Sequence, residues 1–307
     1  MRKTTFFLKK IHFKACTKKG GGGIAFFDSG IGGLTVLSVC RKYLPNVTFY
    51  YFGDNAHAPY GNLPPKKIYR YTYKAFKRFK RLKVAAAVVA CNTATAVCIE
   101  KLRKRFNFPI IGTEPAVCTA ASKGGEIFVL TTRATHESMK FQRLCAEAGR
   151  RYPNAVIIPI ACDALAGKIE RHLQDADFDF TPFLPRGRPN VVVLGCTHYI
   201  YIKEAVKKFY GCEVIDGNEG VATRLLSVLK TSSVTTDMEK TGNDRDTQPH
   251  LTTDFPSALA KKGKDGQKSP KTPKNSLKSD QIFFLGNAQV VNKTQYEQMF
   301  GVVYRQK

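Results

Sequence analysis

Short apolar runs that stop at Gly, Asp, Cys or Thr and lead into helical patterns recur through this chain, and no other feature restricts its fold so strongly. In the first half the runs fall at 24–27, 48–52, 84–90 and 110–112; in the second they fall at 126–130, 156–160, 191–194 and 214–215. A strand, loop, helix rhythm of this kind specifies an α/β fold with mainly parallel sheets flanked by helices. The two halves also match each other. The third run of each is built from Val, Ala and Leu and ends on a cysteine, in Cys91-Asn92-Thr93 and in Cys196-Thr197-His198. The fourth run of each leads into a polar loop, Gly112-Thr113-Glu114 and Asp216-Gly217-Asn218. Two similar domains are expected, with the C-terminal ends of their strands lining a cleft between them, because open parallel sheets bind ligands outside those ends.

A chain of 307 residues with 43% hydrophobic composition can bury two cores. From 231 to 280 the composition shifts to Ser, Thr, Lys, Asp, Gly and Pro with almost no aromatic residue. Such a stretch cannot bury enough apolar surface to offset its ordering entropy, so a disordered insertion is expected. Apolar patterning resumes at 282–285, as a returning strand, and with Tyr296, Met299 and Phe300, as a short helix. The expected organisation is a basic arm at 1–23, a discontinuous first domain of 24–115 with 217–230 and 281–307, a second domain of 116–216, and the insertion at 231–280.

The formal charge of +25 raises nucleic acid as a partner, since clustered Lys and Arg release counterions from phosphates. One cluster is the arm; the other is Lys66, Lys67, Arg70, Lys74, Lys77, Arg78, Lys80, Arg81 and Lys83. In the second, Ile68, Tyr71, Ala75, Phe79 and Leu82 recur at helical spacing, so the cations occupy the outer face of an amphipathic helix, and a solvated face is the simpler reading. The longest apolar runs, such as 84–90, fall well short of the roughly 18–20 residues that span a bilayer. Lys9, Lys10 and Lys14 break the start of the chain too often for a secretory core of about 7–15 apolar residues, which leaves an organelle transit peptide as the rival to a cytoplasmic protein. The nine cysteines include no CxxC pair, which argues against a zinc site or a disulfide framework and for reduced, cytoplasmic thiols. Cys40, Cys98, Cys118 and Cys145 lie in helix-like segments, where a thiol acts as a small hydrophobe.

Cys91 and Cys196 differ from these because each closes a buried-type strand ahead of a helix start. A thiol so placed is expected to be partly exposed, in the field of helical N–H groups that lower its pKa from about 8.5. Asp28-Ser29-Gly30-Ile31-Gly32-Gly33 follows the first strand directly and offers backbone N–H groups to a carboxylate or phosphate. Its spacing is neither GxGxxG nor a P-loop, so nucleotide binding is a poor fit. Two thiols in matched positions narrow the chemistry further. A cysteine hydrolase needs one thiol and a base, and a dithiol oxidoreductase usually carries CxxC. Inversion at carbon needs two proton carriers on opposite faces of one centre: one thiolate removes a proton and the opposing thiol returns one.

The segments Phe27-Asp28-Ser29-Gly30-Ile31-Gly32-Gly33, Tyr60-Gly61, Ala90-Cys91-Asn92-Thr93-Ala94 and Gly195-Cys196-Thr197-His198 resemble, in the same order, the signatures of glutamate racemases in the aspartate/glutamate racemase family. The resemblance covers 24–229 and resumes weakly from 282. It implies an isomerase, independent of metal and cofactor, that interconverts L- and D-glutamate and supplies D-glutamate for peptidoglycan. It implies that Cys91 and Cys196 are the proton carriers, assisted or oriented by Asp28 and His198. By the same resemblance Asp28, Ser29, Tyr60, Gly61, Asn92, Thr93, Thr132, Thr135, Thr197 and His198 would hold the ammonium and two carboxylates of the substrate, a task that hydroxyls, an amide, N–H groups and an aspartate suit. Glu170 stands at the spacing of an acidic residue in relatives and is expected as a helper.

The chain departs from the family at Thr131, where glycine is usual, and at 162–170, where a Pro-rich stretch is expected and Cys162-Asp163-Ala164-Leu165-Ala166-Gly167 begins instead. His57, in the loop before Tyr60, has either a lining or a loop-packing role. The expected partners are a small-molecule amino acid and, at most, a second copy in a homodimer; no membrane is expected. Aspartate racemase is the nearest alternative. A nucleic-acid-binding or regulatory protein on a racemase-like scaffold is the alternative from another class.

Overall fold

A computed structural model describes residues 22–45, 47–173, 175, 177–238, 282–285 and 305–306. Nearly all of the basic arm, most of the 231–280 stretch and the helix expected around Tyr296 lie outside them. Two sheets carry the fold, and every strand pair in them is parallel. The first is made of β1 (Ile24–Asp28), β2 (Phe49–Gly53), β3 (Ala86–Val89), β4 (Ile110–Gly112), β9 (Ile282–Phe284) and β10 (Arg305–Gln306), in the order β10-β9-β2-β1-β3-β4. The second is made of β5 (Gly125–Thr131), β6 (Ala155–Ala161), β7 (Val191–Leu194) and β8 (Glu213–Asp216), in the order β6-β5-β7-β8. Without the two strands added at its edge, the first sheet reads 2-1-3-4 and the second 6-5-7-8, the same winding displaced by one set of strands. The weak internal repeat of the sequence is a repeat of topology.

Helices α1 (Gly33–Tyr43), α2 (Pro65–Arg81), α3 (Asn92–Arg103), α4 (Val117–Ala121), α5 (Arg133–His136), α6 (Met139–Arg151), α7 (Leu165–His172), α8 (Lys203–Tyr210) and α9 (Asn218–Met238) cover the sheets. β1 shows why its sequence is apolar throughout. Ile24 and Phe26 point into a core with Leu34 and Leu37 of α1 and Leu225 of α9, while Ala25 and Phe27 point the other way, to Ile68, Phe76 and Phe79 of α2 and Ile99 of α3. A strand covered on both faces has no solvated side to spend on polar residues. The second sheet is built alike: Phe128, Leu130, Val192 and Leu194 face Ile169 of α7 and Val206 of α8, and Ile127, Val129, Val191 and Val193 face Val117 of α4 and Phe141 of α6. At about 1.5–3 kcal/mol for each large side chain buried, these four layers, not single hydrogen bonds, hold the sheets.

Three local outcomes differ from the sequence reading. The strand expected at 84–90 starts at Ala86, because Lys83 takes a left-handed φ of 50° that stops α2 and leaves Val84 and Ala85 in the turn. Helix α9 runs on to Met238, past Thr231, where the insertion was expected to begin. Tyr71 and Leu82, expected on the apolar side of α2, are only half-buried, and Thr72 is buried there with its hydroxyl donating to the Ile68 carbonyl at 2.9 Å. Cys40 and Cys98 are buried in α1 and α3, and burial pushes both thiols up to about 12. Among the described residues no helix is long and apolar enough to cross a membrane.

Candidate active site

In an open parallel sheet a crevice forms where neighbouring strands send their connections in opposite directions. Here that point lies between β1 and β3 in the first sheet and between β5 and β7 in the second. Register fixes what stands there: Phe27 pairs with Val89 and Leu130 with Leu194. Asp28 therefore ends β1 beside Ala90 and Cys91, and Thr131-Thr132 end β5 beside Gly195 and Cys196. The two cysteines occupy corresponding positions.

Their surroundings differ. Cys91 caps α3, its sulfur accepting from the Ala94 N–H at 3.4 Å and donating to Ser29 Oγ at 3.5 Å. Cys196 opens a 3-10 helix at Thr197–Ile202, and its sulfur lies 3.8 Å from His198 Nδ1. The other imidazole nitrogen of His198 lies 3.5 Å from the Glu170 carboxylate, delivered by α7. Asp28 joins the halves: one carboxylate oxygen accepts from the Gly30 N–H at 2.9 Å, and the other accepts from the Thr197 hydroxyl at 3.3 Å. Close approach between the halves depends on glycine, since a Cβ at Gly32 would stand 2.4 Å from Thr197 Oγ1.

A second bridge is made of hydroxyls. Thr93 Oγ1 lies 2.9 Å from Thr132 Oγ1, Thr132 donates to Thr135 at 3.1 Å, and Thr135 donates to Thr93 at 3.3 Å, closing a ring. Thr93 stands on the first turn of α3; Thr132 caps α5, accepting from the Thr135 N–H. Gly61 packs here too, where a Cβ would meet that of Thr132 at 2.9 Å. The Asn92 amide donates to the Thr113 carbonyl at 3.4 Å. The structure thus gathers Asp28, Ser29, Gly61, Asn92, Thr93, Thr132, Thr135, Thr197 and His198 around the two thiols, with Glu170 behind His198. Tyr60 is buried in the same region, but its hydroxyl donates to Asp54 at 2.5 Å.

Asp54 was missed in the sequence. It comes directly after β2, one position beyond the residue that pairs with Asp28 at the end of β1, and that strand-end position was the available signal. Its buried carboxylate holds both Tyr60 and His57, whose Nδ1 lies 2.8 Å away and whose ring stacks on Tyr71 at 3.8 Å. His57 thus has the loop-packing role of the two considered for it.

Electrostatics corrects one expectation. Cys91 and Cys196 are 4% and 6% exposed, not partly open to solvent. Burial, with the Asp28 carboxylate adding to it, pushes the Cys91 thiol up to about 12, and the Ala94 N–H and Ser29 hydroxyl do not reverse this. Desolvation of a charge outweighs one helix-terminal hydrogen bond in a closed site. Burial also holds the Asp28 carboxyl above the usual carboxylate range, against the opposing pull of His198 and the Gly30 and Gly33 N–H groups. For His198, burial alone would lower the pKa, but its contacts with Cys196 and Glu170 outweigh burial and hold the ring well above its ordinary value. The two larger surface hollows, about 900 Å³ between α3 and α6 and about 1090 Å³ beside β8, have neither thiol on their walls. The ionisable and hydrogen-bonding chemistry is concentrated in the closed cluster, and we take that as the site.

This chain, a twice-repeated parallel α/β winding with one thiol at each switch point, matches the Asp/Glu/hydantoin racemases over residues 36–225 and belongs to that family. It is an isomerase. Glutamate racemases are among its relatives: that of Leptospira borgpetersenii serovar Hardjo-bovis is 37% identical over 219 residues, covering 69% of this chain and 84% of the relative. The Escherichia coli glutamate racemase, solved with L-glutamate and the activator UDP-MurNAc-Ala, is 29% identical with a TM-score of 0.62, covering 69% of this chain and 83% of that one. A Bacillus anthracis glutamate racemase isoform, 22% identical, shares the fold over 94% of this chain and 97% of its own at a TM-score of 0.67. The reading of the chain as a nucleic-acid-binding protein in place of an enzyme is not favoured by these relatives.

The departures noted in the sequence are absorbed locally. Thr131 is buried, its hydroxyl donates to the Ile160 carbonyl at 3.4 Å, and its methyl group lies 2.7 Å from where a Cβ on Gly195 would stand. The 162–170 segment still brings Glu170 to His198 without the Pro-rich sequence.

Proposed function

We propose that the chain interconverts L- and D-glutamate without a cofactor, with Cys91 and Cys196 as opposed proton carriers. One observation carries this reading: two thiols close corresponding strands of two like-wound sheets, over one buried set of hydrogen-bonding groups. The glutamate racemase relatives favour glutamate over aspartate.

In this mechanism one thiolate takes the α-hydrogen as a proton and the C–H electron pair stays on the substrate, spread into its α-carboxylate. The opposite thiol then gives its proton to the other face of the carbon, and a proton has moved from one sulfur to the other. Asp28, whose carboxyl pKa is raised above the usual range by burial, would take the Cys91 proton, and His198, 3.8 Å from Cys196, would exchange one with it. The substrate ammonium would lower the cost of a buried thiolate, since an opposite charge nearby favours the ionised form. Asn92, Thr93, Thr132, Thr135, Thr197 and the Ser29-Gly30 backbone would anchor the carboxylates, preorganised donors being what a developing carbanion needs. Tyr60 would act through the placement of Gly61, since its hydroxyl is engaged by Asp54.

The product D-glutamate would serve peptidoglycan synthesis in the cytoplasm. The return of β9 to pair with β2, and of α9 to pack on α1, supports a discontinuous first domain interrupted by 116–216. The test is loss of optical rotation from each pure enantiomer in deuterated water without pyridoxal phosphate. Both glutamate enantiomers should racemise and acquire α-deuterium. Racemisation of aspartate alone would overturn the substrate, and retained protium would overturn the proton transfer.

A further inference from the structure

Helix α2 carries a surface that the racemase chemistry does not use. Between Asp54 and Glu100 the chain has no acidic residue, and within that stretch Lys66, Lys67, Arg70, Lys74, Lys77 and Lys80 are all exposed on α2. At 3.6 residues per turn the cations of α2 fall within an arc of roughly 160°, along a helix about 25 Å long. The opposite arc, with Ile68, Thr72, Ala75, Phe76 and Phe79, is buried against the first sheet and α3. The cationic surface continues onto α3. The Lys101 ammonium stands 5.6 Å over the Tyr69 ring and Lys77 stands 5.7 Å over Tyr73, while the two tyrosines stack at 5.7 Å. Glu100, beside Lys101 on α3, is paired with Arg103 at 3.1 Å, and the acids Glu114, Glu137 and Glu147 line the hollow at the N-terminal end of α2 rather than its exposed arc.

We propose that this face binds the phosphate backbone of duplex DNA, without reading sequence, as a function additional to racemisation. A rigid rod of cations with no acid among them fits a polyanion of regular charge spacing, and releasing the polyanion's counterions drives the contact. A lipid surface fits less well. Membrane-surface helices insert an apolar face, but the apolar face of α2 is consumed by the core, and among the described residues the large exposed hydrophobic ones, Met139, Val156 and Phe209, lie on other elements. The tyrosine faces are covered by lysines, which favours backbone contact over base stacking.

The experiment uses the full chain and a fluorescein-labelled duplex of about 24 base pairs, with anisotropy followed against salt. If about five phosphates are contacted, the logarithmic slope is about −4 to −5, and affinity falls roughly 10²- to 10³-fold between about 50 and 200 mM salt. Replacing Lys66, Arg70, Lys74 and Lys77 together by Gln should flatten that slope by about 3 to 4 while racemisation is unchanged. A control variant with Arg150, Arg151, Lys207 and Lys208 replaced by Gln loses the same formal charge elsewhere and should keep the slope. Equal loss in both variants, or a flat slope in the unmodified chain, would overturn the proposal. So would phosphatidylserine vesicles that bind through α2 while duplex binding survives the α2 variant. Racemisation serves as the folding check, and intact racemisation with no duplex binding rejects this proposal alone.

Discussion

The two thiols stand at equivalent points of equivalent sheets, yet each has different ionisable neighbours. On the Cys91 side the neighbours are a helix N-terminus, the Ser29 hydroxyl and a buried carboxylate, Asp28. On the Cys196 side there is a 3-10 turn and an imidazole backed by Glu170. The topology was repeated and the proton chemistry was not. This difference matters because the substrate's two faces are mirror images, whereas the groups that meet them are not. Burial raises the pKa of the carboxyl and its partners raise that of the imidazole, and a carboxyl holding its proton is neutral where an imidazole holding one is cationic, so the two groups bring different charges to the sulfurs.

Removing the thiols should have the largest effect. Cys91→Ser and Cys196→Ser are each expected to lower racemisation by about 10²- to 10⁴-fold, the range typical of losing a positioned general base. Near-normal turnover in both would break the pairing. A finer test separates the halves. Because L- and D-glutamate are enantiomers, their equilibrium constant is one, and kcat/KM must stay equal in the two directions for every variant. Asymmetry therefore appears in which proton transfer limits kcat. Asp28→Asn and His198→Asn, each expected to cost less than loss of a thiol, should raise the primary isotope effect on kcat for α-deuterated substrate of opposite enantiomers. The same enantiomer responding in both would remove the distinction between the halves.

Much of this contrast was visible in the sequence, and the reason it stopped where it did is physical. Strand ends are legible because burial on both faces forces near-continuous apolar runs, so Cys91 and Cys196 stood out among the nine cysteines by position. The sign of the shift at Cys91 was not legible. A helix N-terminus argues for a lowered pKa, and only the closed geometry, with Asp28 alongside, reveals that desolvation wins. Asp54 escaped for a similar reason: a carboxylate after a strand is common, and its tie to Tyr60 and His57 exists only once the loop folds back. Glu170 was legible only through the resemblance, at the spacing of an acidic residue in relatives, and its contact with His198 comes from α7 despite the unfamiliar sequence leading to it.

The hydroxyl ring tests whether the halves act as one site. Thr93 comes from the first sheet and Thr132 and Thr135 from the second, so a carboxylate that turns their protons toward itself would bind both halves at once. A hydrogen bond to a charged group is worth about 1.5–3 kcal/mol. Thr93→Val and Thr132→Val should therefore each raise KM by about 10- to 100-fold, with kcat affected less. If only one of them raised KM, the carboxylate would be held by one half.

The smallest effect is the most specific to the Cys196 side. The folded-state pKa of His198 is raised above the ordinary value of about 6.5. The folded protein then holds that proton more tightly than the unfolded chain does. The stabilisation is full below about pH 6.5 and is lost as pH rises through the folded value. Nitrogen-15 NMR of the His198 ring should show an imidazolium at pH 7. Glu170→Gln should bring the midpoint down, because it removes one of the two partners that outweigh burial, while Cys196 supplies the other. A ring already neutral at pH 7, with a midpoint unmoved by Glu170→Gln, would mean that burial wins here as it does at Cys91. The two halves would then differ in shape but not in the charge they bring to the sulfur.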